Sequence, residues 1–249
     1  MLEFQHVFKR YENQIVLDRL SLSLLPGQIF CLLGKNGVGK TTLISCLLDL
    51  VEMEEGSIEV FGKSHQQLQK EDKRRLGCVL DDLGLIEEMN AFDYLLWVGK
   101  IYGIPSNLIA KRTEDLFQFF FEDFAPLYNT IGQFSTGMKK KVAFCAAVLH
   151  TPDLLILDEP FSGLDPLVAN QMIQFLKKYQ REDRLIFISS HDLSYVEKVA
   201  THIGVLHEAN MVYQDTIENF TQQGEQKLDA ALLTILKPNT ANLSAIDWV

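Results

Sequence analysis

The stretch Gly34-Lys35-Asn36-Gly37-Val38-Gly39-Lys40-Thr41, followed by Thr42, carries the spacing G-x-x-x-x-G-K-[ST]. This arrangement is suited to holding a polyphosphate. Glycines let the backbone wrap closely enough for several N–H groups to converge on one anion, and a helix N-terminus behind them adds about half a positive charge. Lys40 would reach the β- and γ-phosphates of a nucleoside triphosphate, and the Thr41 hydroxyl would ligate Mg²⁺. A glycine-rich turn without a ligand is the plainer alternative. The context argues against it: the apolar run Ile29-Phe30-Cys31-Leu32-Leu33 precedes the loop and residues 40–50 have helical character, which is the strand, loop, helix order that the chemistry needs.

A second group lies far along the chain. Asp153-Leu154-Leu155-Ile156-Leu157-Asp158-Glu159-Pro160 puts two carboxylates where an apolar strand surfaces. Asp158 is the candidate for holding Mg²⁺ through water. Glu159 is the candidate for orienting, or taking the proton from, a water in line with the γ-phosphate. Alone, the pair reads equally well as a solvated strand end before a proline turn. Beside a phosphate loop it becomes a catalytic candidate, although kinases, helicases and GTPases also carry two such motifs.

Positioning these groups requires strands that end at one edge. Leu154–Leu157 and Leu185–Ile188 are short apolar runs that stop at polar residues, as buried parallel strands do. Residues 1–30 alternate instead (Leu2, Phe4, Val7, then Leu20, Leu22, Leu24) before the turn at Pro26-Gly27, and this predicts antiparallel strands. From about 85 to 150 the apolar residues fall at helical spacings, which predicts a helical subdomain inserted in an α/β core. Its aromatic block Phe117–Phe121 is expected to be packing. The expected fold is thus α/β, a P-loop nucleoside-triphosphatase core with an N-terminal antiparallel β subdomain and an inserted α-helical subdomain. The 249 residues fit one domain, and 47% apolar with 22% charged residues is an ordinary globular composition. The formal charge of −10 excludes non-specific nucleic-acid binding and a polybasic membrane anchor. The cysteines (Cys31, Cys46, Cys78, Cys145) lack metal-type spacing and are expected as buried thiols. No charged leader and no apolar run near ~18 residues is present, so a cytoplasmic location is expected.

Further motifs narrow the class. Phe134-Ser135-Thr136-Gly137-Met138-Lys139-Lys140-Lys141 resembles the signature sequence of ATP-binding-cassette (ABC) proteins, Ser162-Gly163-Leu164-Asp165 their D-loop, and Ser189-Ser190-His191-Asp192 their histidine switch. The resemblance runs in order from about residue 2 to 220 and is similar in detail to single-cassette subunits of bacterial ABC-2-type exporters and Ecs-type transporters. It implies an ATPase domain over 1–220 and a short extension over 221–249, mildly amphipathic up to Trp248. It implies ATP and Mg²⁺ as ligands, Tyr11 as the ring stacked on adenine, and His191 as a γ-phosphate contact. It also implies a second cassette, as homodimer or heterodimer, whose Ser135 and Gly137 N–H would cap that phosphate across the interface. The three lysines that follow either aid this field or form a solvated helix face, and the solvated face is favoured.

Two positions depart from the family pattern. Thr136 replaces a glycine of the signature, and Asp81 stands where the family has a glutamine near the metal, which makes Asp81 a candidate Mg²⁺ ligand. The resemblance implies a separate transmembrane permease, reached at the cytoplasmic face of the membrane, with no nucleic acid and no direct cargo contact. Leu85, Ile86, Met89, Phe92 and Leu95 are candidates for the apolar surface that receives it. A soluble cassette used for assembly or regulation is the competing reading; an ATP binder that does not hydrolyse is opposed by the intact Lys40, Asp158, Glu159 and His191.

Overall fold

The computed structural model describes residues 1–121 and 123–236; the stretch towards Trp248 lies outside the described residues. The chain opens with strands β1 (Leu2–Tyr11) and β2 (Gln14–Leu24). They pair antiparallel with Leu2 opposite Leu24 and Phe4 opposite Leu22, so that alternate side chains enter the core. After the Pro26-Gly27 turn, β3 (Ile29–Leu33) leaves for a second sheet and runs through the phosphate loop into α1 (Lys40–Leu47). β4 (Glu55–Val60) then returns to the free side of β1, and β5 (Lys63–Ser64) completes a four-stranded sheet ordered β2-β1-β4-β5.

A short helix α2 (Lys70–Lys73) leads to β6 (Leu76–Val79). The helical region follows as α3 (Ala91–Ile101), α4 (Ser106–Phe121) and α5 (Thr136–Val148), within the expected insert. β7 (Leu154–Asp158), α6 (Pro166–Tyr179), β8 (Leu185–Ser190), α7 (Leu193–Val199), β9 (His202–His207) and β10 (Asn210–Thr216) follow, then α8 (Ile217–Phe220) and α9 (Leu228–Leu236). The second sheet is ordered β10-β9-β3-β8-β7-β6 and is parallel except for β10.

Both faces of this sheet are covered, which is why its central strands are continuous apolar runs, broken only at their ends by Asp158 of β7 and Ser189 and Ser190 of β8. Cys31, Leu33, Leu155, Leu157, Ile186 and Ile188 face the helices of one core. Phe30, Leu32, Ile156 and Phe187 face the other, built with Leu43 and Ile44 of α1 and the first sheet. Four neighbouring parallel strands, β6, β7, β8 and β3, therefore end at one edge, and each leads into a segment singled out from the sequence: Asp81, Asp158 with Glu159, His191, and the phosphate loop.

The aromatic block is packing as expected, with Phe117 and Phe120 buried; the exposed Phe119 lies edge-on to Phe120 at 4.9 Å. Two expectations are corrected. Cys78 is exposed, because its strand β6 is the sheet edge, whereas Cys31, Cys46 and Cys145 are buried. Leu95 is fully buried among the helices and belongs to the core, while Leu85, Ile86, Met89 and Phe92 are only partly covered.

Candidate active site

The strand ends enclose an open cavity of about 310 Å³ lined by Asn36, Gly37, Gly39, Lys40, Thr41, Thr42, Asp81, Asp158, Glu159, Ser162 and His191. Four stretches far apart in sequence thus meet as the strand order requires. Gly39, just before α1, has φ 118°, and a Cβ there would lie 2.7 Å from the Val16 carbonyl oxygen. Only glycine fits a left-handed residue so close to a neighbouring backbone. Gly34 is required for space alone, since a Cβ would meet the Leu206 carbonyl at 2.8 Å.

Lys40 is buried, and its ammonium donates to the carbonyls of Gly34 (2.8 Å) and Lys35 (3.3 Å). It also lies 3.1 Å from Glu159 Oε1. Glu159 Oε2 is 2.8 Å from His191 Nδ1. An ionised carboxylate only accepts, so Nδ1 carries the proton and the ring's other nitrogen faces away from Glu159. Glu159 itself has φ 48°, an uncommon backbone for a residue with a side chain, worth of order 1–3 kcal/mol of strain. Asp158 is buried and accepts from the Ser189 hydroxyl through Oδ1, whereas its buried Oδ2 has no hydrogen-bond partner among the described residues.

That orphaned oxygen fits a cation. Among the described residues no group of three or more His, Cys, Asp or Glu is placed to hold a metal. A Mg²⁺ ion here would therefore rely on one or two carboxylates, the Thr41 hydroxyl, waters and substrate phosphates, as Mg²⁺ commonly does. Asp81 brings an exposed carboxylate to the cavity wall.

The remaining sequence candidates stand apart. Tyr11 is exposed at the end of β1 with the Lys9 ammonium 5.1 Å from its ring, and it lines neither this cavity nor the neighbouring one of about 330 Å³ beside Val16, Gly37 and Val38. Ser135 caps α5 by accepting from the Met138 N–H at 3.3 Å, and Gly137 sits in the same first turn, outside the cavity. The favoured solvated face for Lys139-Lys140-Lys141 is corrected: Lys139 pairs with Glu87 (2.6 Å), Lys140 donates to the Ser162 carbonyl (2.5 Å) and Lys141 to that of Phe120 (2.6 Å). Asp165 and Asp192, quoted only as motif letters, are helix caps: Asp165 accepts from Leu167 and Val168 N–H groups at 3.0 Å, Asp192 from Ser194 at 2.9 Å. Ser189, likewise quoted without a role, contacts both acidic residues. The signal for it was a hydroxyl at the end of an apolar strand.

Residues 17–162 match the ABC transporter family profile, more than half of the chain. The chain belongs to the ABC transporter family. It is an ATP-binding, ATP-hydrolysing cassette. The bacitracin transport ATP-binding protein BcrA of Bacillus licheniformis is 34% identical over 225 residues, covering 90% of this cassette and 72% of BcrA. Among solved structures, an ATP-binding subunit of an ABC transporter superposes with TM-score 0.85 at 26% identity, covering 94% of this cassette and 99% of that chain. The fold is shared too by the cassette MJ0796, solved as a post-hydrolysis dimer with ADP and phosphate (TM-score 0.77, 20% identity, 87% of this cassette and 99% of that chain).

Proposed function

We propose that the cassette binds MgATP in the cavity at the strand ends and uses its hydrolysis to drive a separate transmembrane exporter subunit at the cytoplasmic face of the membrane. The observation that carries this reading is the convergence of Lys40, Thr41, Asp158, Glu159 and His191 on one cavity. Residues Gly34 to Thr42 wrap the phosphates, and Lys40 neutralises charge at the β- and γ-positions. Thr41 and Asp158, with Asp81 at the margin, would hold Mg²⁺, which neutralises phosphate oxygens when bound. Glu159 takes the proton of a water that attacks the γ-phosphorus; the bond to the bridging oxygen breaks, and ADP and phosphate leave. His191 holds the Glu159 carboxylate in place through Nδ1–H, and its outer nitrogen donates to the γ-phosphate when the ring is the imidazolium, with both nitrogens protonated.

Tyr11, at the exposed end of β1, supplies a ring for adenine. Ser135 and the Gly137 N–H, at an open helix N-terminus outside the cavity, serve the nucleotide of a second cassette. That arrangement makes ATP a bridge between two subunits, and MJ0796, which shares the fold, is itself dimeric. The partly covered Leu85, Ile86, Met89 and Phe92 beside the Asp81 segment suit a short helix of the membrane subunit. No described helix is long and apolar enough to cross a membrane. We place the ATPase domain at residues 1–220, with the extension from 221 packing Leu228 and Ala231 into the main core. The test is expression with the membrane subunit followed by detergent co-purification and nucleotide binding. Lys40→Ala is expected to stay in the complex but lose ATP; retained ATP affinity would count against the phosphate-loop assignment.

A further inference from the structure

We propose that Ser189 is a positioning residue for hydrolysis, its hydroxyl setting the Asp158 carboxylate and the Glu159 backbone together as one unit. The inference rests on the roles given to those two carboxylates above. Ser189 is fully buried on β8, directly opposite Asp158 of β7 in the parallel ladder. A hydroxyl has one proton to donate and two lone pairs that accept. Because an ionised carboxylate only accepts, the proton goes to Asp158 Oδ1, and a lone pair is left for the Glu159 N–H, which donates to Ser189 Oγ at 3.0 Å. The direction of both bonds is therefore fixed by charge.

Each bond has a consequence for the chemistry. With Oδ1 occupied, Asp158 presents the orphaned Oδ2 as its remaining acceptor, so the hydroxyl decides which oxygen is offered to a cation. On the other side, the Glu159 N–H is shared between Ser189 Oγ and the Ser189 carbonyl, 3.2 Å away. This double grip holds Glu159 in its strained backbone at φ 48°. The side chain of Glu159 then reaches His191, two residues beyond Ser189, and closes a ring of bonds that runs through both strand ends. A serine needed only for packing would not direct both of its bonds to the two acidic residues.

The experiment compares Ser189→Ala, Glu159→Gln and the double variant in ATPase assays, with Mn²⁺ binding in the presence of ATPγS followed by electron paramagnetic resonance. Ser189→Ala is expected to lower kcat about 10- to 100-fold, as loss of a hydrogen bond to a charged group does, with KM for ATP within about threefold. Mn²⁺ should bind about fivefold more weakly or worse, by the same loss at Asp158. The double variant should fall within about threefold of Glu159→Gln alone, since residues acting through one another are not additive. A parental kcat, an unchanged Mn²⁺ affinity, full additivity, or a kcat loss matched by an equal loss of ATP affinity each overturns the proposal. Glu159→Gln at the parental rate defeats the assignment of Glu159 itself, which separates failure of that reading from failure of this one.

Discussion

Replacing Glu159 by Gln should separate turnover from binding in opposite directions. Lys40 is a nearly buried cation whose charged partner in the structure is Glu159, 3.1 Å away. A phosphate oxygen entering the loop competes with that carboxylate for the same ammonium. Gln keeps an oxygen near Lys40 but removes the charge, so the charge-assisted part of the contact, about 1.5 kcal/mol, no longer opposes binding; that corresponds to roughly tenfold tighter nucleotide. The same change removes the proton acceptor and should lower kcat by about 10²–10⁴-fold. ADP is the better probe for affinity, because it lacks the γ-phosphate that would bridge two cassettes. Calorimetric titration of ADP into parent and Glu159→Gln protein gives the first quantity, and steady-state phosphate release gives the second. An ADP affinity unchanged within about twofold would refute the competition argument, and a parental turnover would remove Glu159 from the chemistry.

Other expectations follow from the same geometry. Glu159→Gln with ATP should accumulate a dimer; light scattering with no ATP-dependent mass change would exclude a homodimer. Asp81→Asn should make ATPase rates less dependent on Mg²⁺ concentration and less responsive to the membrane subunit, with nucleotide affinity within a few-fold, and superimposable Mg²⁺ curves would reduce Asp81 to a loop residue. Burial holds the His150 imidazole down to about 4, against about 6.5 in an unfolded chain. It is neutral in the fold, so its contribution is complete above about pH 6.5 and is lost as pH falls towards 4, about 3 kcal/mol over that window. Urea midpoints at pH 7 and 4.5 should diverge more for the parent than for His150→Phe, which keeps the stack on Tyr102 at 3.6 Å; equal divergence would rule out His150 as the cause.

The motifs were legible because their chemistry is local. Gly39 must be glycine for a reason contained within a few residues and one neighbour, and Asp158-Glu159 advertise themselves by ending an apolar strand. Strand order was not legible in the same way. The apolar run around Cys78 resembles that of β7, and only its place at the sheet edge leaves the thiol exposed. The contacts of the three lysines after the signature are hidden from the sequence for a related reason. Their partners, Glu87, Phe120 and Ser162, lie 52, 21 and 22 residues away and are brought together only by tertiary packing.

Ser189 shows why this distinction bears on mechanism. In the sequence it is one of two adjacent serines before a histidine, 31 residues from Asp158. Its meaning appears only when β8 lies beside β7 in parallel, with Ser189 level with Asp158. A slip of one residue that set Ile188 level with Asp158 would turn the Ser189 hydroxyl to the opposite face of the sheet and leave Asp158 Oδ1 without that donor. The register is held by Ile186 and Ile188 on one face and Leu185 and Phe187 on the other, all fully buried. The cores on both faces of the sheet thus specify the alignment that sets the two carboxylates, and a cassette with every motif intact but a shifted β8 would bind phosphate through its loop without orienting the water.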